Sequence, residues 1–94
     1  MSEHAVPTVQ TDNHKTCVTE WRFSAGATTG YHKHEFDYVI IPITTGTLAL
    51  TGPDGEENLA ELVAGVSYFR NAGVEHDVRN ANNYEFSFIE VEFK

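Results

Sequence analysis

Hydrophobic and polar residues alternate along most of this chain with the period of a β-strand. In the stretch CVTEWRFS, one set of alternate positions holds Cys17, Thr19, Trp21 and Phe23, while the other set is mostly polar or charged. Because successive side chains of a strand point to opposite faces, this pattern predicts a strand with one buried face.

Further short runs of strand type follow, each closed by Gly, Asn, Asp or Pro: YHKHEF, YVIIPIT, TLALT, NLAELVA, VSYFR, HDVRN and YEFSFIEVEF. The segments TTGT, around Gly46, and TGPDGE, from Gly52 to Gly55, predict hairpin turns. In the last run the apolar positions change parity, which predicts either a β-bulge near Phe88 or burial of both strand faces at an interface. Together these runs predict an all-β antiparallel sandwich or barrel, and closure into a barrel would remove exposed edges.

The chain has 94 residues, which suits a single domain with one core. Residues 1–16 are polar, contain Pro7 and lack periodicity, so they are predicted to form an N-terminal arm or edge segment. Residues 17–94 are predicted to form the β-barrel domain.

Charge and cysteine content narrow the partners and the compartment. Six basic and 14 acidic residues give a net charge of -8, which argues against nucleic acid and anionic membrane surfaces as partners. A single cysteine, Cys17, cannot form an internal disulfide, which favours a cytoplasmic location. The start of the chain lacks the pattern of a signal peptide, and no apolar run approaches a membrane span.

Two histidines, His32 and His34, have the spacing that places both on one face of a strand, where their rings can converge on one ion. His76 follows a glycine-containing turn that can bring it to the pair. Taken alone, an HxH pair is also typical of ordinary surface or pocket histidines. His4 and His14 lie in the polar arm and are expected to be solvated.

The surrounding glycines extend this pattern over more than half of the chain. Gly26, His32, His34 and Gly46 have the spacing of the first motif of the cupin superfamily, which the sequence therefore resembles. The second motif is matched by Gly65, Asn71, Ala72, Gly73, His76 and Asn80. The amino-acid sequence of residues 21–48 is also similar to that of small single-domain bacterial cupins, some of which carry names tied to β-alanine degradation.

The resemblance implies a jelly-roll barrel that holds one metal ion through His32, His34 and His76, often as a dimer. One feature departs from the family pattern: the glutamate expected shortly after the second histidine is replaced by Tyr38 and Val39. Three roles are open for Tyr38, namely metal ligand, proton-handling catalytic group beside the ligands, or packing residue.

Three neutral nitrogen ligands leave the full charge on a divalent ion, which favours a small anionic, chelating substrate. Imidazole suits several transition metals, so the expected cofactor is one ion among Fe, Ni, Zn and Mn. With Fe(II) the expected activity is dioxygenase-like. Two alternatives are a metal-dependent lyase or isomerase, and a cupin that binds a metal or small ligand without turnover.

Other residues complete the prediction. Arg22 and Arg70 are candidates to clamp a substrate carboxylate, whereas Arg79 has the parity that points away from the site. The large aromatic residues are expected in the core rather than in the pocket wall: Trp21, Phe23, Tyr68 and Phe69. The aromatic C-terminal run is expected to support a homodimer.

Overall fold

The structure is a computed structural model that describes residues 3–94, and Met1 and Ser2, the start of the predicted arm, lie outside it. It contains nine strands among these residues: β1 (Val6–Asp12), β2 (Thr16–Phe23), β3 (His32–Lys33), β4 (Asp37–Pro42), β5 (Gly46–Thr51), β6 (Glu57–Leu62), β7 (Tyr68–Arg70), β8 (Glu75–Asn80) and β9 (Phe86–Phe93). Within residues 3–94, no helix has the length and apolar character needed to cross a bilayer.

The strands form two sheets of separate hydrogen-bond ladders. One has five strands in the order β1-β2-β9-β4-β7, and the other has four in the order β3-β8-β5-β6. All strand pairs are antiparallel, which confirms the predicted all-β antiparallel jelly-roll. In the described part of the chain the ladders do not close into a ring, so the barrel is a flattened one whose edge strands are β1, β7, β3 and β6.

The N-terminal segment lies at one of these edges. β1 pairs with β2 across the whole length of β1, and all seven of its residues are exposed. Just before it, Ala5 donates its backbone N–H to Thr28 O at 2.8 Å, and Thr28 bridges to Arg79 in β8. The N-terminal segment therefore links the two sheets at one corner.

Three local predictions are corrected. The segment around Gly46 is not a hairpin turn, because β4 and β5 belong to different sheets and the chain crosses between them there. The predicted strand YHKHEF shortens to β3, since His34 leaves the ladder to pair with the 73–74 turn. The register of β9 is continuous past Phe88, and the bulge lies in β1 instead, between Val9 and Thr11.

The parity change in the last run has a simple physical reason. β9 lies inside the five-stranded sheet, so its inner face meets the opposite sheet, and on its outer face Val91 is half-buried between the cross-strand neighbours Val18 and Val39. Phe86 and Phe88 are buried on the inner face, and Ser87 is buried on the outer one. The TGPDGE segment behaves as predicted: it joins β5 and β6, and Gly55 takes a positive φ of 80°.

The core fills one end of the space between the sheets. Phe23 and Phe86 are 0% exposed, and Leu48 from the opposite sheet is 1% exposed. Asn80 closes this end: its Nδ2 donates to Tyr84 O at 2.7 Å and to Phe23 O at 3.3 Å, and its Oδ1 accepts from Asn82 N at 2.9 Å. The backbone of Gly46 lies against the side chain of Asn82. A Cβ at this position would be only 2.7 Å from Asn82 Nδ2, which explains the glycine.

Candidate metal centre

Two elements of the four-stranded sheet bring the three motif histidines together. β3 pairs with β8 so that His32 lies directly opposite His76. His34 is held by the backbone of the turn before β8, donating N–H to Val74 O at 2.9 Å and accepting from Gly73 N at 2.8 Å. Gly73 reaches this position with a φ of 96°, which few other residues adopt. The predicted role of the glycine-containing turn is thus confirmed.

The ring nitrogens of the three histidines converge on one point. His34 Nε2 lies 3.1 Å from His32 Nε2 and 3.1 Å from His76 Nε2. Adjacent ligands at roughly 2.0–2.1 Å from a common ion are separated by roughly 2.9–3.4 Å in tetrahedral or octahedral geometry. All three ligand atoms lie within 4.8 Å of one another. The spacing therefore fits a single transition-metal ion.

Protonation also suits a metal. The Nδ1 atom of His32 lies 2.8 Å from Gly30 O, a carbonyl that can only accept, so Nδ1 carries the proton and Nε2 keeps its lone pair. Burial lowers the pKa of His34 to about 4, and His32 and His76 add to the shift. Burial also lowers the pKa of His76 to about 4, and there His32 and Arg70 add to it. These rings are neutral at neutral pH, as metal ligands must be.

Tyr38 lies against the site without joining the converging group. Its ring stacks on that of His34, with centroids 3.9 Å apart and an interplanar angle of 18°. Burial raises the pKa of Tyr38 to about 12, with smaller contributions from Tyr68 and Glu90. The phenol therefore stays protonated at neutral pH, where it is a weak acid that can donate a hydrogen bond. Its predicted catalytic role stays a prediction.

A cavity of about 740 Å³ opens in front of the histidines. Much of its wall is apolar and comes from both sheets, through residues that include Ile40, Leu48, Leu50, Leu62, Val78 and Phe88. Charged side chains also line it: the cations Lys33 and Arg70, and the carboxylates of Glu35, Glu61, Glu90 and Glu92. The space suits a small molecule rather than a macromolecule.

Two of the three arginines lie on the predicted side of the sheets. Arg70 lines the cavity, with its guanidinium 4.6 Å from the centre of the Tyr68 ring. Arg79 points outward, as expected, and forms an ion pair with Glu57 at 3.4 Å. Arg22, a predicted clamp, is instead exposed and lies 3.6 Å from Glu85, because its parity along β2 is that of the outer face.

The aromatic residues are distributed differently from the prediction. Phe23 is in the core, as expected. Trp21 and Tyr68 pack against the core cluster, as expected, and also line the cavity, since the inner face of the sheet is shared between core and pocket. Phe69 is 50% exposed on the outer face.

Two nearby carboxylates and the other two histidines lie outside the cluster of three histidines. In a strand that continued from His34, Glu35 and Asp37 would both face outward; Glu35 instead reaches the cavity wall, because β3 ends before His34. Asp37 does face outward and accepts a hydrogen bond from Ala72 N at 2.7 Å. His4 and His14 are exposed, as predicted.

Comparison with known proteins decides the family. Residues 19–92 match the family model described as the cupin domain. The chain belongs to the cupin family. It is 58% identical over 90 residues to "Beta-alanine degradation protein BauB" from Pseudomonas aeruginosa, a match that covers 96% of this chain and 94% of the relative.

Two solved structures have backbone folds similar to that of this cupin over nearly all of its length. A crystal structure of a cupin domain from Bordetella pertussis Tohama I is 50% identical, with a TM-score of 0.97 and coverage of 100% of this chain and 97% of the other. A double-stranded β-helix domain from Klebsiella pneumoniae has a TM-score of 0.76 at 19% identity, covering 94% of this chain and 75% of that one, and it shows the fold alone.

One residue of this cupin's site was missed by sequence reasoning. Glu90 of β9 is 8% exposed and lines the cavity, with its Oε2 atom 3.8 Å from His34 Nδ1. Burial raises the pKa of Glu90 to about 7, and the neighbouring Glu92 adds to the shift. A signal was available: Glu90 continues the parity of Phe86 and Phe88, which places a carboxylate on the inner face.

Proposed function

We propose that this cupin is a mononuclear metal-dependent enzyme that acts on a small anionic molecule, with dioxygenase-like activity when the ion is Fe(II). The observation that supports it most is the convergence of three Nε2 atoms at the wall of a cavity of about 740 Å³, with that of His34 lying 3.1 Å from each of the other two. His32, His34 and His76 would hold the ion. A redox-active ion would supply oxidative chemistry, and a redox-inert one would supply polarisation for a lyase or isomerase reaction.

The charges of the cavity wall sharpen the substrate class. Arg70 and Lys33 offer cations for one carboxylate, while four glutamates line the same wall. Repulsion from these carboxylates disfavours substrates with several negative charges. A small monoanion is therefore the expected substrate, with its apolar part against the aliphatic wall. The Pseudomonas relative is named for β-alanine degradation, and a small carboxylate-bearing compound fits the same class.

Metal content tests the first half of the proposal. We expect untagged protein to carry close to one divalent ion per chain, and the double variant His32→Ala, His76→Ala to lose it. His14→Ala is the matched control, because it removes an exposed histidine outside the site. The measurement is inductively coupled plasma mass spectrometry. Little metal in the parent, even after reconstitution with Fe(II), Zn(II) or Ni(II), would contradict the metal site.

Turnover is tested separately. Iron-loaded protein should consume O₂ in an oxygen electrode with at least one member of a panel of small diketones, thiols and keto acids. The double histidine variant is the control for metal-independent uptake. Metal-loaded protein that consumes no O₂ and converts no compound of the panel, followed by mass spectrometry, would favour the alternative of a non-catalytic metal or small-ligand binding cupin.

We also propose a homodimer in the cytoplasm. The outer face of the five-stranded sheet carries an apolar cross-strand row of Val18, Val91, Val39 and Phe69, which a second copy would cover. The parent should elute at about twice its mass of 10.5 kDa in gel filtration with light scattering, and Val91→Lys should elute as a monomer. A monomeric parent would contradict the dimer.

A further inference from the structure

Glu90 stands behind one of the three candidate ligands. It lies on the inner face of β9, where Phe86 and Phe88 occupy the preceding positions of the same parity. Its side chain is 11% exposed and that of His34 is 7% exposed, and Oε2 lies 3.8 Å from His34 Nδ1. A buried carboxylate and a buried imidazole are each costly without a polar partner. The Trp21 indole is one such partner of Glu90, and His34 Nδ1 is a second polar group close to it.

The geometry separates Glu90 from the ligand group itself. The His34 ring directs Nε2 towards the nitrogens of His32 and His76, at 3.1 Å from each. Its Nδ1 atom is on the other side of the ring, and this is the atom that Glu90 approaches. The group of side chains able to share an ion consists of the three histidines and does not include Glu90. The carboxylate is thus in the layer outside the ligands.

His32 shows what such a neighbour does. Its Nδ1–H donates to Gly30 O at 2.8 Å, which leaves the Nε2 lone pair facing the centre. His34 needs the same tautomer to act as a ligand, and the acceptor facing its Nδ1 is the Glu90 carboxylate. The 3.8 Å separation is about 1 Å longer than a direct N–H···O bond, a gap that a small side-chain rotation or one bridging water spans.

We propose that Glu90 is a positioning residue of this centre: its carboxylate accepts the Nδ1–H of His34 and so presents the His34 Nε2 lone pair to the ion. The inference rests on the metal site proposed above. It also locates a substitute for the carboxylate missing at Tyr38 and Val39. The negative charge comes from the last strand and acts through the imidazole instead of binding the ion directly.

Zinc affinity provides the first test. Glu90→Gln keeps an acceptor oxygen but removes the charge, and Glu90→Leu removes both. We expect Glu90→Leu to weaken zinc binding by about tenfold to hundredfold in chelator competition, with Glu90→Gln in between. Glu85→Gln is the matched control, because Glu85 directly precedes the same strand but is exposed and pairs with Arg22 away from the cavity. It should change the affinity less than about threefold.

Nitrogen NMR of the histidine side chains supplies a readout that is independent of activity. In the zinc-loaded parent the His34 proton is on Nδ1, and we expect its signal to be protected from exchange with water, whereas Glu90→Leu should broaden or lose it. Amide spectra of each variant establish that it is folded. Unchanged zinc affinity together with an unchanged His34 Nδ1–H signal in Glu90→Leu would overturn the proposal, as would an equal loss in Glu85→Gln.

Measurements on the metal-free protein test the contact between Glu90 and His34 independently of the metal proposal. If the parent binds no zinc, the metal proposal fails by itself. The tautomer of His34 can still be measured without metal: a proton on Nδ1 in the parent that moves towards Nε2 in Glu90→Leu supports the contact. The same tautomer in both proteins would reject it.

Discussion

The two ends of the space between the sheets are built from the same strands but in different ways. Along β9, the inner face changes from Phe86 and Phe88 at one end to Glu90 at the other. Along β8 it changes from Asn80 to His76. The first end is closed by packed aromatic rings and by the hydrogen bonds of the buried Asn80 side chain. The second leaves a cavity with ionisable groups in its wall.

This difference separates stability from chemistry. Buried aromatic rings at the closed end supply hydrophobic free energy. The open end gathers groups whose burial is costly in their charged forms, which is why the pKa of His34 is lowered to about 4 and that of Glu90 raised to about 7. Substitutions at the closed end should therefore change folding, and those at the open end should change ligand binding and pH dependence.

The largest expected effect is at the closed end. Phe86→Ala removes a side chain that is 0% exposed, and the cavity left behind should lower the free energy of unfolding by about 3–5 kcal/mol. Urea denaturation measures it. Leu59→Ala, at a position of β6 that is 66% exposed and lies outside the proposed dimer face, is the control and should cost less than about 1 kcal/mol. Equal losses would remove the distinction between core and outer face.

Asn80 should give the next largest effect. Asn80→Ala leaves the carbonyl groups of Tyr84 and Phe23 without their buried donor, and we expect a loss of about 2–3 kcal/mol. Asn58→Ala, at an exposed position in β6, should stay within about 0.5 kcal/mol. Zinc affinity of the folded Asn80→Ala protein should be unchanged. A large loss of affinity would show that the two ends are coupled.

The open end should control the pH dependence of the metal-free protein. The ordinary histidine pKa is 6.5, and His34 and His76 have pKa values of about 4 in the folded state. Between these values the unfolded chain binds more protons, so stability is lost as the pH falls. Glu90 acts in the opposite direction, because its folded pKa of about 7 lies above the ordinary 4.5.

Two histidines outweigh one glutamate, so the net effect is a loss of stability between about pH 7 and pH 5. Denaturant titrations at each pH measure it. His76→Asn should reduce the loss, and Glu90→Gln should steepen it, because each removes one side of the balance. Stability that rises on acidification would contradict these opposing contributions.

The smallest expected effect belongs to Tyr38→Phe. The phenyl ring preserves the stacking on His34, so we expect a change in zinc affinity below about threefold. Stability should change by less than about 1 kcal/mol. A loss of affinity by orders of magnitude would instead establish the tyrosine oxygen as a ligand. Loss of turnover with normal metal binding would support the predicted catalytic role.

The sequence alone was sufficient to predict most of the strands and the three candidate metal ligands. Alternation along β2 and β9 predicted strands, since the period of the side chains follows from the backbone of a single strand. The alternation and the His32–His34 spacing depend on the backbone of one strand. The approach of His76 depends on the pairing of β3 with β8, and the motif resemblance predicted that the three histidines come together.

Tertiary structure decided the rest. The sequence around Gly46 is typical of a turn, but Gly46 begins β5 after the chain has crossed between the sheets. The glycine is explained by tertiary packing, since a Cβ there would lie 2.7 Å from Asn82 Nδ2 and 2.8 Å from the Tyr84 hydroxyl oxygen. Trp21 and Glu90 lie in the cavity wall, although their strand pattern specifies only the inner face. A period of two distinguishes inside from outside. It does not distinguish the packed end of a barrel from its open end, since that depends on what the facing sheet places opposite.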